Sequence, residues 1–419
     1  MWSRHWRSCL GLPGEQRKDL ILEKGITMDT ASSLKQKAIE KTGLSDFGDS
    51  YFEETLKLWV NDLAHYRLSD FGRTAFTNQM IGDLARRLRV IDCLRKNPEI
   101  EDVTIPPILY ISGLERTGTT FLHNLLNLDP KARAFKRWEL MNPVPPPEAA
   151  TYETDARIAK AQMSIDKLRG TLLEQMHWVN ADDPEECAWG MIDGSGILGS
   201  AASAAMPQWG QPSPIRNPER AFLEYRSIIK LLLWKNPIPD GGYLVLKAPQ
   251  FLSFMPVFLD MLPEAQLILM HRDPFRAITS VCALVASILD PFFKDSSLLH
   301  NSAYLPATTG QNAERRLDII SAFCRSRSDV THIAYPDLIE DPVATVGSIY
   351  LKCGMTMPDG LEARLASFIA DQKAGKRAKP PGALPTFGLD HDEFLSRPSI
   401  ARYCAHFGVE PERSRQTGV

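Results

Sequence analysis

Apolar and polar positions along this chain follow two periods, and the change from one to the other outlines the architecture. From residue 28 to about residue 100 the period is helical. Within 51–66 the apolar positions Phe52, Leu56, Leu58, Trp59 and Leu63 recur at helical spacing. Residues 80–94 set Ile81, Leu84, Leu88, Ile91 and Leu94 on one stripe and leave Arg86, Arg87 and Arg89 off it, where they read as a solvated face. Asn97-Pro98 ends that helix, because a proline pushes the residue before it out of the helical region. Short, mostly apolar runs then take over at 108–111, 243–246 and 266–270, with 330–335 read as the last core strand and helical patterns at 119–127, 221–234 and 251–261. Runs of this length separated by helices predict a parallel α/β sheet with strands buried on both faces. Residues 134–140 read as a further strand leading to the prolines at 143–147, and 151–176 as a charged amphipathic helix.

This pattern predicts an N-terminal helical cap over 28–103, one α/β domain over 104–400, and a tail over 401–419. Residues 1–27 carry Trp2, Trp6 and several basic residues but no apolar core of a signal peptide, and read as a disordered extension. The longest uncharged run, 194–215, is rich in Gly, Ser, Pro and Gln, and 277–289 is too short to span a bilayer, so no transmembrane segment is expected. With 44% hydrophobic and 24% charged residues the chain has an ordinary globular composition. A formal net charge of -3 excludes bulk attraction to nucleic acid, so any basic site must be local. Seven cysteines without a CxxC pair point to reduced thiols and a cytoplasmic location, with no zinc site.

The stretch 106–120 organises the chemistry. An apolar run enters a glycine loop, Gly113-Leu114-Glu115-Arg116-Thr117-Gly118-Thr119-Thr120, and a helix follows. Strand, glycine loop and helix N-terminus together present free backbone N–H groups to an anion. The glycine spacing is that of a nucleotide-binding P-loop, but Thr119 stands where a nucleoside triphosphatase needs lysine. Ligands of open α/β sheets bind at the carboxyl ends of the strands. Two further strand ends carry cations there: Lys247, and Arg272 in His271-Arg272-Asp273-Pro274, with Ser280 on the next helix.

In this order, the motif from Gly113 to Thr120, then Leu246-Lys247-x-Pro249, then His271 to Pro274 with Ser280, resembles the PAPS-dependent sulfotransferase family. The bacterial sulfotransferase proteins are most similar, the tyrosylprotein sulfotransferases more distantly so. The likeness extends to Gly43–Gly48, Trp138-Glu139, Asp183–Glu186 and Asp341-Pro342, and covers roughly 40–410. It implies a P-loop-type parallel sheet flanked by helices, and transfer of a sulfuryl group from 3'-phosphoadenosine 5'-phosphosulfate (PAPS), leaving PAP. The loop N–H groups of Arg116 to Thr120, with the Thr119 and Thr120 hydroxyls, would hold the phosphosulfate. Arg116 would face the transferring group, Arg272 and Ser280 would hold the 3'-phosphate, and Lys247 would neutralise the leaving oxygen. No metal is implied.

The resemblance leaves two candidates for the general base, Glu139 and His177. Asp183 reads as an N-cap, with Glu185 and Glu186 as first-turn acids. His271-Arg272-Asp273 mimics a kinase catalytic loop, but the asparagine required five residues on is Ile278. A P-loop kinase, or a non-catalytic nucleotide-binding member, is the competing reading. Lys373, Lys376, Arg377 and Lys379 are expected to close over the nucleotide rather than bind nucleic acid. The small-residue run 194–205 leaves room for a ligand or for a close helix contact. The apolar content of 190–210 and 282–299, with Trp189, Met191, Ile197, Leu198, Met206, Trp209, Val285, Ile288, Phe292 and Phe293, points to a hydrophobic small-molecule acceptor. Oligomeric state stays open, a homodimer included.

Overall fold

Five parallel strands form the sheet among the described residues: β1 (Ile108–Gly113), β2 (Ala132–Arg133), β3 (Tyr243–Lys247), β4 (Ala265–His271) and β5 (Thr331–Ala334). Their order is β2-β3-β1-β4-β5, so the chain leaves β1, returns on one side of it as β3, and then crosses to the other side as β4. The computed structural model describes residues 29–63, 68–167, 169–171, 174, 179–193, 215–294, 304–325, 327–373 and 387–412.

Every residue of β1 and β3 is buried, which is why both read as continuous apolar runs. Successive side chains enter opposite cores. Ile108, Tyr110, Leu244, Leu246, Leu267 and Leu269 face the larger one, and Leu109, Ile111, Val245, Ile268 and Met270 the smaller. The larger core also takes in Leu34, Phe52, Phe76, Leu88 and Phe222, so the N-terminal helices Ala31–Thr42, Phe52–Leu63 and Asp70–Lys96 pack onto the sheet side by side with Pro218–Trp234. The smaller core is closed by Thr119–Leu126, Pro342–Lys352 and Leu361–Lys373. Each fully buried leucine there contributes about 1.5–3 kcal/mol. The segment Pro274–Phe292 is long and apolar enough to cross a bilayer, and 61% of it lies buried inside the protein.

The structure corrects several readings. Arg86 and Arg87 are buried, and only Arg89 of the three is exposed. The Arg87 guanidinium places each of its five N–H donors: two on Glu224 at 2.7 Å and one each on the carbonyls of Phe47, Asp49 and Ile192 at 2.7–2.9 Å. Arg86 holds the carbonyls of Trp189 and Met191, both at 2.8 Å. These arginines fasten the long helix to two loops, so the period predicted its stripe but not its polar face.

Residues 134–140 are not a strand. Only Ala132–Arg133 pair with β3, and Arg137–Met141 is a short helix, started when Glu139 accepts the Lys136 backbone N–H at 2.9 Å. Among the described residues of 151–176 a helix spans Ala156–Asp166, starting where Asp155 caps it by accepting the Arg157 N–H. The stretch 251–261 is a 3-10 turn, Pro249–Phe254, followed by the helix Met255–Met261. Helix Pro398–Phe407 runs across the boundary expected between 400 and 401, and buries Ile400 and Tyr403. Residues 1–27, the 194–205 run and Ile197, Leu198, Met206, Trp209, Lys376, Arg377 and Lys379 lie outside the described residues.

Candidate active site

β1 delivers the chain into a loop with positive φ at Gly113 (150°), Arg116 (68°) and Gly118 (89°). At Gly118 a Cβ would sit 2.8 Å from the Tyr335 ring, and at Gly113 2.6 Å from the Met270 carbonyl oxygen, so both positions need glycine for space as well as for φ. Arg116 has no such licence; a side-chain-bearing residue in this region costs of order 1–2 kcal/mol. Two contacts offset that cost. Arg272 Nη1 donates to the Arg116 carbonyl at 2.7 Å, and the buried Thr117 hydroxyl donates to the Leu114 carbonyl at 2.7 Å. The helix Thr119–Leu126 starts immediately afterwards, leaving its first N–H groups without intrahelical partners. Thr119 is buried at that start, and Thr120 is exposed.

The sheet brings the three cations to this loop. Pairing sets Ile111 beside Lys247, the last residue of β3. Lys247 Nζ lies 3.4 Å from the Thr120 hydroxyl and 2.7 Å from Glu186 Oε1, on a side chain only 1% exposed. Arg272 follows the last residue of β4, with its guanidinium 4.0 Å over the Tyr335 ring. Its Nε and Nη2 hold the Glu412 carboxylate at 2.6 and 3.0 Å. With Nη1 on the Arg116 carbonyl, three of the five guanidinium N–H groups are used, which leaves two for an anion. Ser280, on helix Pro274–Leu289, accepts from Arg116 Nε at 2.9 Å. Burial, and then the neighbouring Arg272 guanidinium, push Arg116 below the usual arginine range. For Arg272 burial, the largest single cause, acts the same way, but Glu412, Tyr335 and Asp273 together outweigh it and the net direction is up.

Gly113, Arg116, Thr117, Gly118, Thr119, Thr120, Lys247, Arg272 and Ser280 thus come together at the carboxyl end of the sheet, beside β1, where the strand order reverses. Fixed cations and N–H dipoles around one loop suit an anion on which charge develops during reaction.

Glu139 stands apart from that set. It is 0% exposed and accepts from the Lys136 N–H, from Tyr152 Oη at 2.7 Å and from Arg133 Nη2 at 2.9 Å. A carboxylate so enclosed braces its own turn. His177 lies outside the described residues. His271 is buried between Tyr403 and His332, and burial followed by His332 lowers its pKa to about 3, so it is a neutral packing group.

Sequence reading missed the carboxylate that pairs with Lys247. Asp183 accepts from the Asn180 side chain instead of capping a helix, Glu185 pairs with Arg137 at 2.7 Å, and Glu186 reaches Lys247 with one oxygen and the Gln250 amide with the other. The signal for Glu186 was Lys247 itself, since a buried lysine requires an anionic partner.

The sequence pattern of the sulfotransferase family matches residues 107–359. The fold is similar to that of sulfotransferase STF9 from Mycobacterium avium, with TM-score 0.79 and 24% identity over 93% of this chain and 99% of that one. Sulfotransferase STF1 from Mycobacterium tuberculosis H37Rv is also similar, with TM-score 0.75 and 22% identity over 90% and 99%. Comparison with curated proteins gives no significant match. With the family pattern spanning more than half of its length, the chain belongs to the sulfotransferase family and is a sulfuryl-transferring enzyme.

Proposed function

We propose that the sulfuryl donor is PAPS and that the acceptor is a hydroxyl, or an amine, of an apolar small molecule. The observation that carries this reading is the convergence of Arg116, Lys247 and Arg272 on a glycine loop in which Thr119 replaces the triphosphatase lysine. In this reading the loop N–H groups and the threonine hydroxyls take the 5'-phosphosulfate, and Arg272 with Ser280 takes the 3'-phosphate. Arg116 faces the sulfuryl group.

The bond from sulfur to the acceptor oxygen forms as the bond from sulfur to the 5'-phosphate oxygen breaks. Lys247 neutralises that leaving oxygen, and the acceptor proton passes to Glu186. Glu186 is preferred to Glu139 as the base because it touches Lys247 and retains 16% side-chain exposure, whereas Glu139 is enclosed by three donors. Positioning and charge stabilisation then supply most of the rate, as they do for phosphoryl transfer. Trp189 lies on the turn Cys187–Gly190 that Glu186 opens, but it packs against the core with Arg137 over its ring and does not by itself argue for the acceptor. Met191 and Val285 are core residues and carry no weight there either. The unpaired Cys93, Cys187, Cys282, Cys324, Cys353 and Cys404 are consistent with a reducing, cytoplasmic setting.

The test is thermal. PAP is expected to raise the melting temperature clearly more than ADP with magnesium does, and equal shifts would sink the 3'-phosphate assignment. A screen with labelled PAPS against hydroxylated metabolites then identifies the acceptor.

A further inference from the structure

Arg116 and Lys247 must sit at a fixed separation for both to act on one donor, yet they belong to different elements. Strand pairing fixes Lys247 against Ile111, but beyond Gly113 the loop leaves the sheet and nothing in the ladder controls where Arg116 lies. Beyond the long Lys247–Thr120 contact, one side chain bridges the gap with short bonds. Arg316, on helix Tyr304–Cys324, donates Nη1 and Nη2 to the two oxygens of Glu115 at 2.7 and 2.9 Å, and Nη2 also donates to the Pro249 carbonyl. Glu115 is the residue before Arg116, and Pro249 is the second residue after Lys247.

We infer that Arg316 is a positioning residue for sulfuryl transfer: its guanidinium clips the donor loop to the end of β3 and so sets the spacing between Arg116 and Lys247. The Arg316 side chain is 13% exposed, so solvent screens the pair with Glu115 only weakly. A planar fork is required, because a lysine presents a point charge and cannot bind a carboxylate bidentately while also holding a carbonyl in a second direction. The clip also acts on the residue next to the left-handed kink at Arg116, where the backbone would otherwise relax. Arg272 holds the kink from the other side through the Arg116 carbonyl, so the loop is gripped twice, once through its backbone and once through Glu115.

This inference rests on the PAPS reading, and its test separates the two. Binding of PAP and of adenosine 3'-phosphate is measured by calorimetry for the wild type, Arg316→Lys and Glu115→Gln, both close in size to the native residue, with melting temperatures to confirm folding. PAP reaches the loop through its 5'-phosphate, whereas adenosine 3'-phosphate reaches only Arg272 and Ser280. Both variants are expected to weaken PAP about tenfold, the cost of one charge-assisted contact, and to leave adenosine 3'-phosphate unchanged. Equal weakening of both ligands, or none of either, overturns the positioning role while wild-type PAP binding upholds the donor. Failure of the wild type to bind PAP overturns both.

Discussion

Arg272 is the residue on which most of the site depends. It holds the Arg116 carbonyl, stacks on Tyr335 and binds the Glu412 carboxylate. Arg272→Ala is expected to weaken PAP by about tenfold or more, because the 3'-phosphate loses a charge-assisted partner and the loop loses a brace; titration calorimetry reads this directly. The two glutamates should separate in transfer rather than in stability. Glu186→Gln is expected to cut transfer from labelled PAPS by about a hundredfold or more, the usual contribution of a general base, and to lower stability as well, because Lys247 is left buried without its anion. Glu139→Gln should leave Arg133, which keeps the Asn236 and Leu232 carbonyls, without its anion, and lower stability in denaturant unfolding while sparing transfer. Loss of transfer in a stable Glu139→Gln protein, with Glu186→Gln fully active, would restore Glu139 as the base.

At the scale of elements, the loop between β1 and the helix Thr119–Leu126 tolerates little. Gly118→Ala would meet the Tyr335 ring and demand φ of 89° from a residue with a Cβ, so it is expected to reduce both melting temperature and PAP affinity. The glycine spacing made this loop legible in the sequence, and burial on both faces made β1, β3 and β4 legible, since side chains along them need no polar alternation. Other elements were hidden for physical reasons. The helix Arg137–Met141 is started by a capping carboxylate in a stretch whose apolar residues suit a strand equally well. Arg87 looks solvated because its partner, Glu224, is 137 positions away, and no local period can report an ion pair made by folding. Glu186 was hidden among neighbouring acids whose partners differ, and residue type alone does not sort them.

For the molecule as a whole, buried histidines set the acid side of stability. His123 Nε2–H donates a hydrogen bond to the Val245 carbonyl at 3.1 Å, and burial followed by the Lys247 charge lowers its pKa to about 3. His271 is lowered to about 3 as well, and His332 shifts in the same direction. Each folded value lies below the ordinary 6.5, so between pH 6.5 and about 3 the unfolded chain binds protons that the folded chain refuses. Their contribution is intact above pH 6.5 and falls as pH drops, by up to about 1.4 kcal/mol per pH unit for each of His123 and His271. Urea unfolding at pH 7 and pH 5 checks the slope, and His123→Gln should flatten it by one histidine's share.

The central place of β1 has a consequence for timing. Its residues pair with β3 on one side and β4 on the other, and every one of them is buried. Amides so placed have no local route to solvent, so they are expected to exchange hydrogen for deuterium only when the whole domain opens. The glycine loop grows from this slowest-exchanging segment and is gripped at both flanks. Motion that admits the donor and releases PAP is therefore expected in segments around the loop, and deuterium uptake with and without PAP should change there while β1 stays at its limit.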